Sequence, residues 1–369
     1  MAIARKKTKD GRTRYYVVRR IEGRKVWFPG SYATLKDARE ADAKLTTDKA
    51  KGRDTTPRAE TVDALVDRWL AAKAAAGKHR PRTAERRLDL YTRHVSPIIG
   101  TMRASSVREA DVQRVVEAMV ATDLAPATVD QAYRVVTAAF RFGKLGVDLR
   151  DVERPEVRRR EIVIPTATDV SAILSATEGH PMHLPLTIAA HTGLRRSEVL
   201  ALRWDDVDLE AARLRVRQAA SFQGRTVVLV ETKTKNAQRT VGFGPALVAV
   251  LREGKADQAA RRLAIGEGWR DFGLVVDNAD GFPVHPERLT QYFDRVAVRL
   301  GVEGVTLHAL RHFAISTWLR AGVPVLVVSR MAGHAKASFT IDTYGHCIPE
   351  DQDAAVAAMD RALAGGETP

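Results

Sequence analysis

Apolar residues return at helical spacing in one block of the chain after another. Val62, Leu65, Val66, Trp69 and Leu70 fall at i, i+3, i+4, i+7 and i+8, the stripe of an amphipathic helix. Val112, Val115, Val116, Met119 and Val120 repeat the pattern behind a Ser106/Glu109 capping box, and Val129, Tyr133, Val136 and Phe140 form a third stripe. With a helix near 83–95, residues 57–150 read as a four-helix module. Upstream, Thr13-Arg-Tyr-Tyr-Val-Val-Arg-Arg20 and Arg24-Lys-Val-Trp-Phe28 are rich in β-formers around Glu22-Gly23, which predicts a hairpin. A helix follows it, with a capping-box-like start at Thr34 and Asp37 and apolar positions Leu35, Ala38, Ala41 and Leu45. Downstream, helical patterns at 167–176, 184–191 and through Leu202 precede three strand-like runs, Arg213–Ala219, Thr226–Glu231 and Arg239–Phe243, expected in one small antiparallel sheet. Helices are then expected at 246–263, 286–300, 307–321 and 324–332. The fold class is mostly α with small β-sheets (α+β).

Breaks in the pattern set the expected domains. Lys49–Arg58 is charged and interrupted by Gly52 and Pro57; Asp151–Glu161 is charged, holds Pro155 and lacks an apolar period. Four segments result: a small β-ribbon/helix unit over 1–56, the helical module over 57–150, a linker over 151–161, and a mixed α/β domain with a C-terminal tail over 162–369. A length of 369 residues is too great for one compact core.

Charge indicates the partner. The 59 Lys and Arg against 45 Asp and Glu give +14, and such a chain is drawn to polyanions by its field and by counterion release. Residues 1–60 hold 17 Lys and Arg against 8 Asp and Glu, so the first module is a basic one. A two-stranded ribbon fits the DNA major groove, which makes Arg14, Arg19, Arg24 and Lys25 candidate contacts. Lys78, Arg80, Arg82, Arg86 and Arg87 on the helical module could follow a DNA backbone. No apolar run approaches the ~20 residues of a spanning helix, and no signal-peptide core opens the chain, so a cytoplasmic, nucleoid-associated protein without a membrane partner is expected. The single cysteine, Cys347, can form neither an internal disulfide nor a multi-cysteine zinc site.

Candidate chemistry lies in the last domain. Thr192-Gly-Leu-Arg195-Arg-Ser-Glu198 puts an arginine just after a glycine turn where a helix begins, and the free amides there already favour an anion. Glu198, one turn on, can hold that guanidinium. Thr232-Lys-Thr-Lys-Asn-Ala-Gln238 joins two predicted strands, and Lys233 or Lys235 on such a hairpin can reach into a cleft and protonate a leaving alkoxide. His308-Ala-Leu-Arg311-His312 sets a histidine and an arginine on one helical face. His79/Arg82 and His285/Arg288 share that spacing, but only His308 opens a strong helix upstream of Gly333-His334 and Tyr344. Of the seven tyrosines only Tyr292 and Tyr344 follow residue 160, and Tyr292 sits within a predicted helix beside Phe293 as a packing residue. The chain carries no P-loop, no Gly-x-Ser-x-Gly elbow, no His-Glu-x-x-His helix and no carboxylate cluster of the two-metal type. Metal-free phosphoryl transfer by arginines remains, with no cofactor expected.

Thr-Gly-Leu-Arg195-x-x-Glu198, Thr-Lys233-Thr-Lys, His308-x-x-Arg311-His312, Ala-Gly-His334 and Thr-Tyr344-Gly-His, in this order, resemble the ordered boxes of the tyrosine recombinases of the phage-integrase type. The resemblance covers about residues 165–350; the helical module, with its Ile98-Ile-Gly100 turn, resembles the family's core-site-binding domain, and the first module its arm-site-binding domain. Met331 stands where leucine is commoner. The resemblance implies Tyr344 as nucleophile, Arg195 and Arg311 as the phosphate clamp, Lys233 as general acid, His308 as acid/base partner and His334 as hydrogen-bond donor, with Glu198 and His312 behind them. It implies a 3′-phosphotyrosyl intermediate formed without ATP, double-stranded attachment sites of core and arm type, and a homotetramer on DNA. It leaves room for a host DNA-bending protein and an excisionase-like directionality factor. A chromosome-dimer-resolving or transposon recombinase, a topoisomerase-like enzyme of type IB, and a non-catalytic DNA-binding regulator are the competing readings; the basic first module argues for integration of a phage or other mobile element. The stripe Val356, Met359 and Leu363 in the tail is expected to dock on a neighbouring protomer.

Overall fold

The computed structural model describes residues 2–7, 12–21, 24–28, 31–50, 60–77, 81–158, 162–223, 226–231, 238–348 and 352–363. It divides into two compact units, Met1–Arg160 and Glu161–Pro369.

The first unit opens with a three-stranded antiparallel sheet: β1 (Ala2–Lys7), β2 (Thr13–Ile21) and β3 (Arg24–Trp27), in that order. The expected hairpin is β2–β3, with Val18 opposite Trp27. β1 was not foreseen, because Ala-Ile-Ala-Arg-Lys-Lys reads as a basic arm until Ile3 is placed opposite Val17. Helix α1 (Leu35–Ala50) packs on β2, and Val17, Val18, Phe28 and Ala38 are buried. Thr34 Oγ1 accepts from the Asp37 amide at 3.1 Å.

The helical module consists of α2 (Val62–Ala75), α3 (Pro81–His94), α4 (Glu109–Ala121) and α5 (Pro126–Phe142). The three apolar stripes converge, with Leu65, Val66, Trp69, Val112, Val115, Met119, Val129 and Phe140 in one core; Val120 is exposed. The start of α4 differs from expectation. Its N-cap is Arg108, whose amide donates to the Asp111 carboxylate at 2.8 Å, while Ser106 Oγ donates to the Arg103 carbonyl. The Ile98-Ile-Gly100 turn is a single wide helical turn, Ser96–Gly100. Beyond α5 the chain stays on the module: Val152 is buried in its core and Arg154 lies over the Tyr133 ring at 4.1 Å.

The second unit begins with α6 (Ala167–Ser175), capped reciprocally by Thr166 and Asp169, then α7 (His183–Thr192) and the single turn α8 (Arg196–Val199). The chain past α8 reaches Leu202 in turns instead of a continued helix. β4 (Val207–Asp208), β5 (Arg213–Val216) and β8 (Arg239–Gly242) form one antiparallel sheet in the order β4-β5-β8, while β6 (Gln218–Gln223) and β7 (Thr226–Glu231) form a separate hairpin. The single expected sheet is thus two. The division falls at Arg217, which leaves the ladder to ion-pair with buried Asp206. Helices α9 (Pro245–Ile265), α10 (Pro286–Arg299), α11 (Ala309–Arg320), α12 (Val325–Ala332), α13 (Ala337–Tyr344) and α14 (Gln352–Leu363) complete the unit. Its main core joins α7, β5, α9 and α10 through Leu186, Leu214, Leu247 and Phe293. A smaller core of Ile315, Leu319, Val328, Ala332, Tyr344 and Cys347 ties α11, α12 and α13 together. Tyr292 stacks on His180 at 4.0 Å, a packing role. Among the described residues no helix is long and apolar enough to cross a membrane.

Gly100 shows how closely the helical module is assembled. A Cβ there would overlap the Asp63 carboxylate, which already accepts from Tyr91 Oη at 2.6 Å. Gly100→Ala is expected to destabilise the module by about 1–3 kcal/mol, read from its urea midpoint, because the added methyl displaces Asp63 from Tyr91.

Candidate active site

Two left-handed glycine turns set the backbone of the site. Gly193 (φ +61°) ends α7, and Gly333 (φ +67°) ends α12. Both positions favour glycine because other residues lose conformational energy there. Each turn directs a main-chain carbonyl to an arginine. Arg311, on the first turn of α11 and almost fully buried, donates from Nη1 to the Gly193 carbonyl and from Nη2 to the Ala332 carbonyl, both at 2.7 Å.

Arg195 is the N-cap of α8 and is more open, with 38% of its side chain exposed. Its Nη1 donates to Glu198 Oε1 at 2.9 Å, its amide donates to Glu198 Oε2 at 2.9 Å, and its Nη2 reaches the Gly333 carbonyl at 3.2 Å. The expected hold of Glu198 on Arg195 is therefore present. A second cation shares that carboxylate. Arg239, at the start of β8, donates to Glu198 Oε2 at 2.8 Å and Oε1 at 3.1 Å, and from Nε to the Met331 carbonyl at 2.6 Å. A Cβ at Gly333 would lie 2.8 Å from the Arg239 guanidinium, so Arg239 also requires that glycine. Sequence reading missed Arg239. The available signal was strand parity, since Arg239 and buried Val241 share a face of β8, and an arginine on an inward face needs a buried partner.

Tyr344 is the last residue of α13 and only 1% exposed. Its hydroxyl lies 2.6 Å from Nδ1 of His312, one turn beyond the start of α11, and its ring lies parallel to that of His334 at 6.4 Å. His334 follows the Gly333 turn, with Nδ1 2.8 Å from Thr340 Oγ1. His308, the exposed N-cap of α11, meets His312 edge-on at 4.9 Å. Arg195, Arg311, His308, His312, His334, Glu198 and Tyr344 thus come together in one unit from four separate sequence stretches.

The electrostatics fit an anion site. Burial pushes the Glu198 carboxyl up, but Arg239 and then Arg195 outweigh it and hold it at about 2. Burial, and then the Arg195 charge, pull the Arg311 guanidinium well down from its ordinary value. Convergent arginines sharing one carboxylate leave positive charge that an entering phosphate relieves. Burial, followed by nearby positive charge, brings His312 and His334 to about 4 and lowers His308. Burial pushes the Tyr344 phenol up to about 12 against the opposing pull of Arg311 and Arg195. Among the described residues no group of His, Cys, Asp or Glu is arranged to hold a metal ion.

The remaining candidates are placed differently. Lys233, Lys235, Lys78 and Arg80 lie outside the described residues, as do the side chains of Arg24 and Lys25. Arg19 is held within its own module, donating to Asp42 at 2.7 Å and to Thr46 Oγ1 at 2.7 Å, and Arg14 is half-buried on β2. Arg86 and Arg87 line a cleft with Thr83, Leu90, Gln131 and Arg134, while Arg82 is half-buried nearby on α3.

Two outcomes are expected from this geometry. Arg239→Met leaves Glu198 with one cation fewer and lowers the stability of this unit by about 3 kcal/mol, measurable by urea denaturation. His312 and His334 take up a proton near pH 4 when folded and near 6.5 when unfolded, so the unfolded chain binds more protons between those values. Their contribution is complete above about pH 6.5 and is lost as pH falls toward 4, which a series of urea midpoints from pH 7 to 4.5 reads directly.

Comparison with known proteins bears on the same segment. The model of the "Phage integrase family" matches residues 166–350, which contain each of the boxes above. An integrase of Streptomyces ambofaciens is 27% identical over 340 residues, covering 87% of this chain and 85% of that protein. Among solved structures, the Tn1549 transposon integrase in complex with transposon right end DNA superposes with a TM-score of 0.65 at 20% identity, over 82% of this chain and 100% of that one. The lambda integrase tetramer bound to a Holliday junction gives 0.57 at 15% identity, over 91% and 94%. These structures share the α+β fold expected from the sequence. With its family segment spanning the whole arginine, histidine and tyrosine constellation, the chain belongs to the phage integrase family and is a tyrosine site-specific recombinase.

Proposed function

We propose that this recombinase integrates, and also excises, a phage or other mobile element, with Tyr344 as the nucleophile that breaks one DNA strand at a core-type attachment site. The observation that carries the reading is the buried Tyr344 hydroxyl, in hydrogen-bond contact with His312 inside a site where the Arg195 and Arg311 charges act on each other and on the tyrosine. Tyr344 Oη attacks the phosphorus, the bond to the 5′ oxygen breaks, and a 3′-phosphotyrosyl link keeps the energy of the broken diester for rejoining. Arg195 and Arg311 offer planar paired donors to the phosphate oxygens as charge builds on them. Lys233 gives the leaving 5′ oxygen its proton, His334 donates to the phosphate, His308 acts as an acid/base partner, and Glu198 positions Arg195.

The basic three-stranded module supports arm-site binding through Arg14 and the β2–β3 hairpin, and α3 supports core-site contact through Arg82, Arg86 and Arg87. Arg19, bonded to Asp42 and Thr46, braces the ribbon on α1 beside these contacts. Integration is favoured over resolution of chromosome dimers by the basic first module with its three-stranded sheet, in line with the match to the Streptomyces integrase. A homotetramer on DNA follows by analogy with the lambda integrase tetramer. A host DNA-bending protein and an excisionase-like factor are expected to assist. Among the tail residues, exposed Val356, Met359 and Leu363 on α14 supply the face for the neighbouring protomer.

On a DNA substrate nicked beside the cleavage point, the wild-type chain is expected to accumulate a covalent adduct and Tyr344→Phe to form none; absence of the wild-type adduct, or an adduct with Tyr344→Phe, contradicts the assignment. Removing residues 1–56 is expected to abolish integration of a supercoiled donor while core-site cleavage persists, and unchanged integration contradicts the two-site reading.

A further inference from the structure

The attacking phenol must lose a proton, and the site holds three imidazoles that could receive it. Only one is shown bonded to the hydroxyl: His312 Nδ1 lies 2.6 Å from Tyr344 Oη. Nδ1 of His334 is instead engaged with Thr340 Oγ1 at 2.8 Å, and its ring is parallel to the tyrosine ring at 6.4 Å. His308 touches the edge of the His312 ring and is exposed. The distance, from a buried hydroxyl to one ring nitrogen, is that which general-base catalysis requires, with the His312 tautomer that carries its proton on Nε2.

We propose that His312 is the catalytic base of the cleavage step, taking the Tyr344 proton on Nδ1, and that the same imidazolium returns it when the strand is rejoined. The inference rests on Tyr344 being the nucleophile. In cleavage the Oη–H bond breaks and the proton passes to Nδ1; the Oη–P bond forms as the P–O5′ bond breaks, and the leaving oxygen is protonated by the separate acid, Lys233. In rejoining, the 5′ hydroxyl gives up its proton to that lysine, and the departing phenolate recovers its own from His312. Both proton transfers reverse in rejoining, so the reaction runs in either direction without net proton release.

The surroundings keep the His312 ring neutral at rest, and the reaction itself raises its basicity. Among the described residues, His308 at the N-cap of α11, Arg311 on its first turn, Tyr344 at the end of α13 and His334 before that helix are titratable or charged groups that act on His312, and Cys347 packs beyond Tyr344. Burial, His308 and Arg311 bring His312 to about 4, so at neutral pH its ring is unprotonated and free to accept. Negative charge growing on the phosphate during attack favours the imidazolium at that moment. Exposed His308, packed edge-on against it, places the ring one residue from solvent.

The test is the rate of covalent adduct formation on nicked DNA by His312→Phe and His312→Gln, between pH 6 and 9. Both variants are expected to bind DNA like the wild type and to cleave about 100-fold more slowly at pH 7, the usual effect of removing a general base. The wild-type rate is expected to be nearly flat with pH, whereas the variants gain about tenfold per pH unit because the phenol must then ionise unaided. A role confined to packing lowers the rate by one factor at every pH. The glutamine variant keeps a polar partner for the hydroxyl and decides the matter if phenylalanine disturbs folding. A substrate with sulfur in place of the leaving 5′ oxygen needs no acid, so it is expected to leave the variants slow. Wild-type rates, a pH-independent loss, or recovery on the sulfur substrate overturns the proposal. An adduct with Tyr344→Phe would instead overturn the nucleophile assignment, which separates the two failures.

Discussion

Glu198 is the fixed point of the site. A carboxylate with so little access to water is unfavourable alone, and a guanidinium as deep as that of Arg239 is equally so. Together they satisfy each other, and the remaining valence of Glu198 is taken by the amide and guanidinium of Arg195. One carboxylate thereby ties the α7–α8 junction to β8, and Arg239 carries the tie on to the end of α12 through the Met331 carbonyl. Removing Arg239 leaves the buried Glu198 carboxylate to Arg195 alone, and removing Glu198 leaves the buried Arg239 guanidinium without its carboxylate, a cost that exceeds the modest worth of an exposed ion pair.

From that point the geometry propagates through backbone. The left-handed turns at Gly193 and Gly333 present carbonyls to Arg311 and Arg195, so the directions of the two guanidiniums are set by main chain as much as by side-chain packing. The same Gly333 turn launches His334, and the small core of Ile315, Leu319, Val328 and Ala332 seats Tyr344 against it. Protein groups alone hold both guanidiniums in this arrangement. Preorganised donors act where charge develops without reorganising at the moment of reaction.

Much of this was legible in the sequence because it is local. Arg195 and Glu198 are three residues apart just after a glycine turn, His308 and Arg311 share a helical face, and Tyr344 came forward by elimination of Tyr292 together with the family resemblance. The helical module was legible for the same reason, its stripes each lying within one helix. What escaped was non-local. The partnership of Arg239 with Glu198 spans 41 residues, β1 acquires its meaning only opposite β2, and the division of the expected sheet at Arg217 depends on Asp206. His312 was read as a supporting residue because spacing along α11 does not show which ring faces a tyrosine 32 residues away. The cap of α4 was misplaced by two residues, since Arg108 and Asp111 offered a competing pairing.

The central claim is that a single folded chain brings its own tyrosine to its own arginines. Mixing Tyr344→Phe protein with Arg195→Gln protein on nicked DNA tests this most directly, with covalent adduct as the readout. A site assembled within one chain predicts that the mixture stays as inactive as either variant alone, because neither protomer holds both groups. Restoration of the adduct in the mixture would show the tyrosine acting in a neighbour's site and contradict the account.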